Sequence, residues 1–374
     1  MTDIHKGLED VHIDTSSISR VFGDEGKLNY AGYWISDLAA HSSYEEVTYL
    51  LIEGELPDED QLARFEDTLT QHRALPEQTM TVIKQMKDHN PMDVLRTAVS
   101  SLSTAQPGQG FDSGWNKEQA HKIIAAIPTI VATLDRVRNG KTPIEPRDDL
   151  SHAANFYYML HDEEPTETEA EAVDTALILY AEHGMNASTL AAITTASTQA
   201  NIYSAITSGI GALQGPLHGG ATETVVETLD TIGSADQVDA FVEHEVEHHE
   251  LIPGFGHRVY NTTDPRCKEF ERVFRDLAED PEHNERLDLI EALRDEVVGE
   301  LGDKGIYPNA DLYSGTVYRS LGIEPDLYTC MFTMARVAGW TAHVFEQWDD
   351  NRILRPRVQY TGETGKAYVP PSER

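Results

Sequence analysis

Cysteine is nearly absent from this chain: Cys267 and Cys330 are the only two in 374 residues. Two such thiols make no disulfide framework and suit a reducing compartment. Basic residues are also few, with 10 lysines and 19 arginines against 64 acidic residues. No basic patch is visible, which argues against nucleic acid as a partner. Long apolar runs are missing too. The longest, Ile123 to Leu134, contains Pro128 and is too short to cross a bilayer. The N-terminus, Met1-Thr2-Asp3-Ile4-His5-Lys6, lacks the basic-then-apolar order of a signal peptide. The expectation is a soluble, cytoplasmic protein.

What is abundant is negative charge. The net charge is -35, and the acids are dispersed rather than gathered in one tail, as in Asp148-Asp149, Glu163-Glu164 and Asp349-Asp350. Such a coat exceeds what solubility requires. It suits a surface built for high salt, where ions screen the self-repulsion.

The chain is long enough for two domains. Its periodicity is overwhelmingly helical. The segment Ser43-Tyr44-Glu45-Glu46 reads as a capping box ahead of Val47, Leu50 and Leu51. Further helical patterns cover about 59–73, 77–88, 92–105, 117–138, 149–161, 167–182, 188–207, 221–231, 235–249, 267–279, 284–301, 312–320 and 326–347. Turn signals such as Gln106-Pro107-Gly108 and Asn139-Gly140 part them. Residues 11–35 predict short extended pieces and turns instead. No βαβ alternation appears, so the fold expected is all-α. The tail from Tyr360 to Arg374 is expected to run over the surface.

Three loops carry the chemistry. Glycines at 209, 211, 215, 219 and 220 bracket His218 in Gly215-Pro216-Leu217-His218-Gly219-Gly220-Ala221. Such density implies positive φ angles or close approach to a ligand. His257 follows Pro253-Gly254-Phe255-Gly256, and Asp311 lies in Tyr307-Pro308-Asn309-Ala310-Asp311-Leu312-Tyr313-Ser314-Gly315. A carboxylate in a partly dry cleft can take a proton from carbon beside a carbonyl. A neutral histidine can donate a hydrogen bond to the resulting enolate oxygen, and a second can polarise the electrophile. Either histidine alone could instead cap a helix or satisfy a buried carbonyl. Together with Asp311, they favour an enzyme that makes and stabilises a carbanion.

Arginines point to an anionic substrate. Arg266 lies in Asp264-Pro265-Arg266, Arg336 in an otherwise apolar helix, and Arg355 in Arg352-Ile353-Leu354-Arg355-Pro356-Arg357. Guanidinium forks bind carboxylates bidentately, so a small di- or tricarboxylate fits. Internal salt bridges are the competing account, strongest for Arg352 and Arg357. Burying Arg336 would be expensive without an anion. His183, in Glu182-His183-Gly184-Met185-Asn186, can face the same anion or simply sit on a helix C-terminus. In His244-Glu245-Val246-Glu247-His248-His249, the spacing of His244 and His248 is that of metal ligands. No third ligand accompanies it, and a solvated helix face is the simpler account.

Taken in order, these motifs resemble citrate synthase. The likeness rests on Glu-His183-Gly-Met-Asn-Ala-Ser-Thr, Gly-Pro-Leu-His218-Gly-Gly-Ala, Gly-Phe-Gly-His257-Arg-Val-Tyr with Asp-Pro-Arg266, Tyr-Pro-Asn-Ala-Asp311-Leu-Tyr-Ser-Gly and Arg355-Pro-Arg-Val-Gln-Tyr-Thr-Gly. It runs from about Gly23 to Gly362, and the acidity suggests the form found in halophilic archaea. The resemblance implies a dimer with a large domain (1–216 with 317–374) and a small one (217–316), the site lying between them. It implies acetyl-CoA and oxaloacetate as substrates, citrate and CoA as products, and no metal or redox cofactor. By the family's pattern Asp311 removes the methyl proton, His218 holds the thioester oxygen and His257 polarises the ketone. His183, Arg266 and Arg336 would bind oxaloacetate, and Arg355 would reach the partner subunit's site.

The chain departs from the pattern at two places. Asn261 stands where a basic residue usually meets the CoA phosphates, which leaves Arg258 and Lys304 as CoA-binding candidates. Tyr30-Ala31-Gly32 replaces the usual Tyr-Arg-Gly. No N-terminal extension of the kind linked to NADH-inhibited hexamers is expected. A 2-methylcitrate synthase acting on propionyl-CoA would use the same residues. From another class, an inactive CoA-binding scaffold or a His-rich metal-binding protein would need the three loops to be idle.

Overall fold

The computed structural model describes residues 4–8, 11–103, 113–277 and 281–374. A three-stranded antiparallel sheet opens the chain: β1 (Ser19–Phe22), β2 (Lys27–Tyr30) and β3 (Tyr33–Trp34), in that order, with Ser19 opposite Tyr30. The elements after it, among the described residues, are helices. The first half holds α1 (Ile35–His41), α2 (Tyr44–Glu53), α3 (Glu59–Thr70), α4 (Glu77–Gln85), α5 (Pro91–Ser101), α6 (Ser113–Arg138), α7 (His152–His161) and α8 (Glu167–Tyr180). The second holds α9 (Ala187–Ala196), α10 (Ile202–Leu213), α11 (Ala221–Ile232), α12 (Val238–His248), α13 (Pro265–Leu277), α14 (Pro281–Leu301), α15 (Asp311–Ser320) and α16 (Tyr328–Asp349). The all-α expectation holds. The Gln106-Pro107-Gly108 turn, the end of the 92–105 helix and the last residues of the 267–279 helix lie outside the described residues.

Local chemistry explains the boundaries. Ser43 caps α2 by accepting from the Glu46 N–H at 3.2 Å, but Glu46 accepts from the Ser42 hydroxyl instead of closing the box. Reciprocal boxes form at Asp58 with Gln61 and at Thr166 with Glu169. The single helix expected over 188–207 is two. Gln199 takes a left-handed φ of 63°, and the Asn201 side chain accepts from Ser204 N–H at 3.0 Å to start α10. The chain therefore doubles back, and α9 packs along α10 and α16.

The hydrophobic core is one continuous cluster running from Ile18 to Trp348. Helix α16 passes through it, with Trp340 fully buried. Where α16 crosses the end of α8, the Gly339 N–H donates to Ala181 O at 3.1 Å. A Cβ on Gly339 would overlap that carbonyl oxygen, so only glycine lets the two helices meet this closely. That crossing positions the site, because His183 follows α8 and Arg336 lies one turn earlier on α16. Among the described residues, no helix is long and apolar enough to cross a membrane.

Candidate active site

The loops carrying His257 and Asp311 are laced to each other by backbone. Gly256 N–H donates to Tyr307 O at 2.8 Å, Asn309 N–H to Gly254 O at 2.9 Å and Asp264 N–H to Pro308 O at 3.0 Å. The Asn309 side chain completes the join. It donates to Gly256 O at 3.0 Å and accepts from the Asp311 N–H at 3.0 Å. Gly254 and Gly256 have φ of 87° and 80°, the positive angles expected of such a turn. None of the five glycines around His218 has a positive φ. Their role is close packing: Gly209 lies against the Trp340 indole, and Gly219 against the Leu213 carbonyl.

Each catalytic candidate is held by one end and leaves the other free. His257 Nδ1 accepts from the Val259 and Tyr260 N–H groups at 2.9 and 3.1 Å. A neutral ring there must carry its proton on Nε2. His218 is held the opposite way, its Nε2 accepting from the Ser188 N–H at 3.3 Å with Ser188 Oγ at 2.8 Å. Its Nδ1 is therefore the ring nitrogen left for a ligand. Trp340 Nε1–H donates to the same Ser188 oxygen at 3.1 Å and fixes it. Burial, with Arg336 nearby, pushes His218 down to about 4. Burial, with Arg266 nearby, does the same to His257. Both rings are thus neutral donors at ordinary pH, the state an enolate or a ketone oxygen requires.

Asp311 opens α15 and is half-buried. Its Oδ1 accepts from Tyr180 OH at 2.8 Å and from Thr222 Oγ1 at 2.7 Å. Its Oδ2 has no hydrogen bond among the described residues. One oxygen is anchored and the other can act as a base.

The anion-binding candidates differ from one another. Arg336 is 1% exposed, and its Nε donates to Tyr180 O at 2.8 Å. Its Nη2 is buried with no hydrogen-bond partner. It makes no ion pair among the described residues, and burial pulls it down to about 10 despite Glu182. A buried guanidinium with an unpartnered Nη2 and no direct ion pair is a site for an anionic ligand. Arg266 is also buried but has an internal partner: Asp264 takes Nε at 3.0 Å and Nη2 at 2.6 Å. Burial alone would lower it, and Asp264 outweighs that and raises it. Half of its fork is spent, which the sequence did not reveal. His183 lies between them, its ring centroid 5.2 Å from that of His257 and its Nε2 3.3 Å from Tyr260 OH. Burial, Arg266 and His257 hold it well below the usual histidine range.

His183, His257 and Asp264 bring potential ligand atoms within 4.8 Å of one another. Asp264 gives both oxygens to Arg266, whose charge would oppose a metal cation. The set is chemically an anion site. His244 and His248 stack on exposed α12 at 4.2 Å, and no third ligand joins them among the described residues.

Several working residues escaped the sequence reading. Tyr180 and Phe332 link the parts: their centroids are 4.5 Å apart, Phe332 lies 6.2 Å from His218, and Arg336 stands 4.8 Å over Phe332. Ser188 and Tyr260 also went unmarked. Their neighbours carried the motifs, and ordinary hydroxyls in a sequence give no signal of their own. Arg258 and Lys304 are exposed, as is Asn261, whose amide donates to Asp24 Oδ1 at 2.8 Å. Arg355 stands apart in the exposed tail and pairs with no carboxylate among the described residues.

The family model for the C-terminal domain of citrate synthase matches residues 7–357. The chain belongs to the citrate synthase family. Curated citrate synthases from Deinococcus radiodurans and Haloferax volcanii are each 43% identical, covering all of this chain and 100% and 99% of theirs. A curated 2-methylcitrate synthase from Corynebacterium glutamicum is 39% identical, covering all of this chain and 98% of its own. Among solved structures, the ternary complex of carboxymethyl coenzyme A and oxaloacetate with citrate synthase from Thermoplasma acidophilum matches with TM-score 0.94 and 33% identity over the full length of both chains. The chain is therefore an acyl-transferring enzyme of the citrate synthase type.

Proposed function

We propose that this citrate synthase condenses acetyl-CoA with oxaloacetate by the three loop residues acting together. Asp311 Oδ2 removes a methyl proton. His218 Nδ1–H holds the thioester oxygen as the enol forms. The enol carbon attacks the ketone of oxaloacetate, and His257 Nε2–H stabilises the oxygen that becomes the citryl hydroxyl. Hydrolysis of citryl-CoA then gives citrate and CoA. Arg336, Arg266 and His183 bind oxaloacetate, with Arg336 the dominant charge because its guanidinium makes no direct ion pair and keeps Nη2 unpartnered. Arg258 and Lys304 meet the CoA phosphates. No metal or redox cofactor takes part. The observation that carries this reading is the pair of neutral histidines anchored through opposite ring nitrogens, each with its other nitrogen left for a developing oxyanion.

Other features complete the proposal. Residues 217–316 form a small domain against a large one made of 1–216 and 317–374. Two subunits pair, and the exposed tail delivers Arg355 to the other subunit's site. Exposed Ile353, Val358 and Tyr360 on that tail favour cover by a second copy. The acidic surface works in molar salt, and two buried free cysteines fit a reducing cytoplasm. A CoA-release assay with oxaloacetate in molar KCl tests the whole. Acetyl-CoA should turn over faster than propionyl-CoA. A preference for propionyl-CoA would make it a 2-methylcitrate synthase, and no release with either would end the proposal.

A further inference from the structure

Tyr180 meets the site at three levels. It is 2% exposed at the end of α8. Its backbone oxygen accepts from Arg336 Nε at 2.8 Å. Its ring lies 4.5 Å from Phe332 and 5.2 Å from Phe270, with the Arg266 guanidinium carbon 5.6 Å from its centroid. Its hydroxyl reaches across to α15, 2.8 Å from Asp311 Oδ1 and 2.9 Å from Ser314 Oγ. A phenol has one proton, and the carboxylate is the stronger acceptor. Tyr180 therefore donates to Asp311, and Ser314 can donate to Tyr180. Thr222, from α11, supplies the second donor to the same carboxylate oxygen at 2.7 Å.

The asymmetry matters for the reaction. A carboxylate free to rotate offers either oxygen at many angles. Here both donors grip Oδ1, so the carboxyl plane is set and Oδ2 alone is presented. We propose that Tyr180 is the positioning residue of the base, its hydroxyl aiming Oδ2 of Asp311 at the thioester methyl. This rests on the assignment of Asp311 as the base.

The charge of Asp311 acts on Tyr180 and on Tyr318 of its own helix, while Arg266 of α13 and Arg336 of α16 lie against Tyr180. Tyr180→Phe leaves Tyr318 and both arginines, keeps the ring packing and keeps the backbone bond to Arg336. In the full-length enzyme with acetyl-CoA and oxaloacetate, this variant should lose about 10- to 100-fold in kcat, the range of a hydrogen bond to a charged group. The KM for oxaloacetate should stay within about twofold. Ser314→Ala, which removes the second partner of the Tyr180 hydroxyl, should lower kcat by less with the KM for oxaloacetate again held, and it serves as the decisive variant if Tyr180→Phe does not fold. A kcat within twofold of the parent, or a fall in kcat matched by a comparable rise in the KM for oxaloacetate, overturns the proposal. Asp311→Asn separates the two assignments. If it is inactive while Tyr180→Phe is unimpaired, only the role of Tyr180 fails. If Asp311→Asn keeps full turnover, the base assignment fails and this inference with it.

Discussion

Single residues in this enzyme are tuned chiefly by loss of water. Burial holds His218 and His257 down to about 4, His121 to about 4 and His152 to about 3, all from an ordinary 6.5. The sign for stability follows from proton uptake. Below about 6.5 the unfolded chain protonates these histidines while the folded chain does not, so acid favours unfolding. Their contribution is complete above pH 6.5 and is lost progressively as pH falls toward about 4. Melting temperature in constant salt should therefore decline across that window, and His152→Gln should flatten part of the decline. A melting temperature that holds steady from pH 7 to 4.5 would contradict the buried neutral state. The base itself gives a sharper expectation. Asp311→Asn should lower kcat by a factor of about 10³ or more, the upper part of the range for general acid–base groups. Oxaloacetate binding, measured by calorimetry, should persist because Arg336 and His183 are untouched. Wild-type turnover in this variant would exclude Asp311 as the base.

At the scale of elements, the crossing of α8 and α16 holds the substrate-binding side of the site. Gly339→Ala would drive a methyl group into the Ala181 carbonyl and the Glu182 carboxylate. The carboxylate cannot move away freely. Burial pushes Glu182 up, but buried His343, 2.9 Å from Oε1, outweighs that and holds it ionised below the usual range. Helix α16 must therefore shift and carry Arg336 with it. Overpacking of this kind costs about 1–3 kcal/mol. Denaturant unfolding should show that loss, and the KM for oxaloacetate should rise more than that for acetyl-CoA. Equal changes in both KM values would mean the crossing does not control the guanidinium.

The same scale shows what sequence could and could not reveal. Helix periods were legible because apolar residues recur every three to four positions, as in Phe270, Val273 and Phe274 of α13. The break between α9 and α10 was not, because Gln199 takes its left-handed turn without a glycine to announce it. His218, His257 and Asp311 were legible because glycine- and proline-rich loops isolate them. Arg336 stood out as a charge in an apolar helix. The pairing of Arg266 with Asp264 was hidden, since a neighbouring Asp is equally compatible with a free fork. Tyr180 was hidden for a different reason: its hydroxyl acts at a site built from residues far along the chain.

At the scale of the whole molecule, net charge sets the conditions under which any of this works. Each chain carries -35, so two chains repel strongly in the proposed dimer. The Debye length grows from about 3 Å at 1 M salt to about 10 Å at 0.1 M, which exposes that repulsion. Dilution into low salt should therefore dissociate or unfold the dimer and abolish activity together, as read by light scattering and CoA release on the same samples. The proposed exchange of Arg355 supplies an independent test of pairing in high salt. Arg355→Ala and His218→Ala should each be nearly inactive alone. After subunit exchange, a heterodimer contains one site whose His218 and incoming Arg355 are both intact. The mixture should then recover part of the wild-type activity, in proportion to the heterodimers formed. Recovery should vanish if both substitutions are placed in the same chain and mixed with neither parent. Verified heterodimers with no recovery would show that Arg355 does not serve the opposite site, and the exposed tail would need another partner.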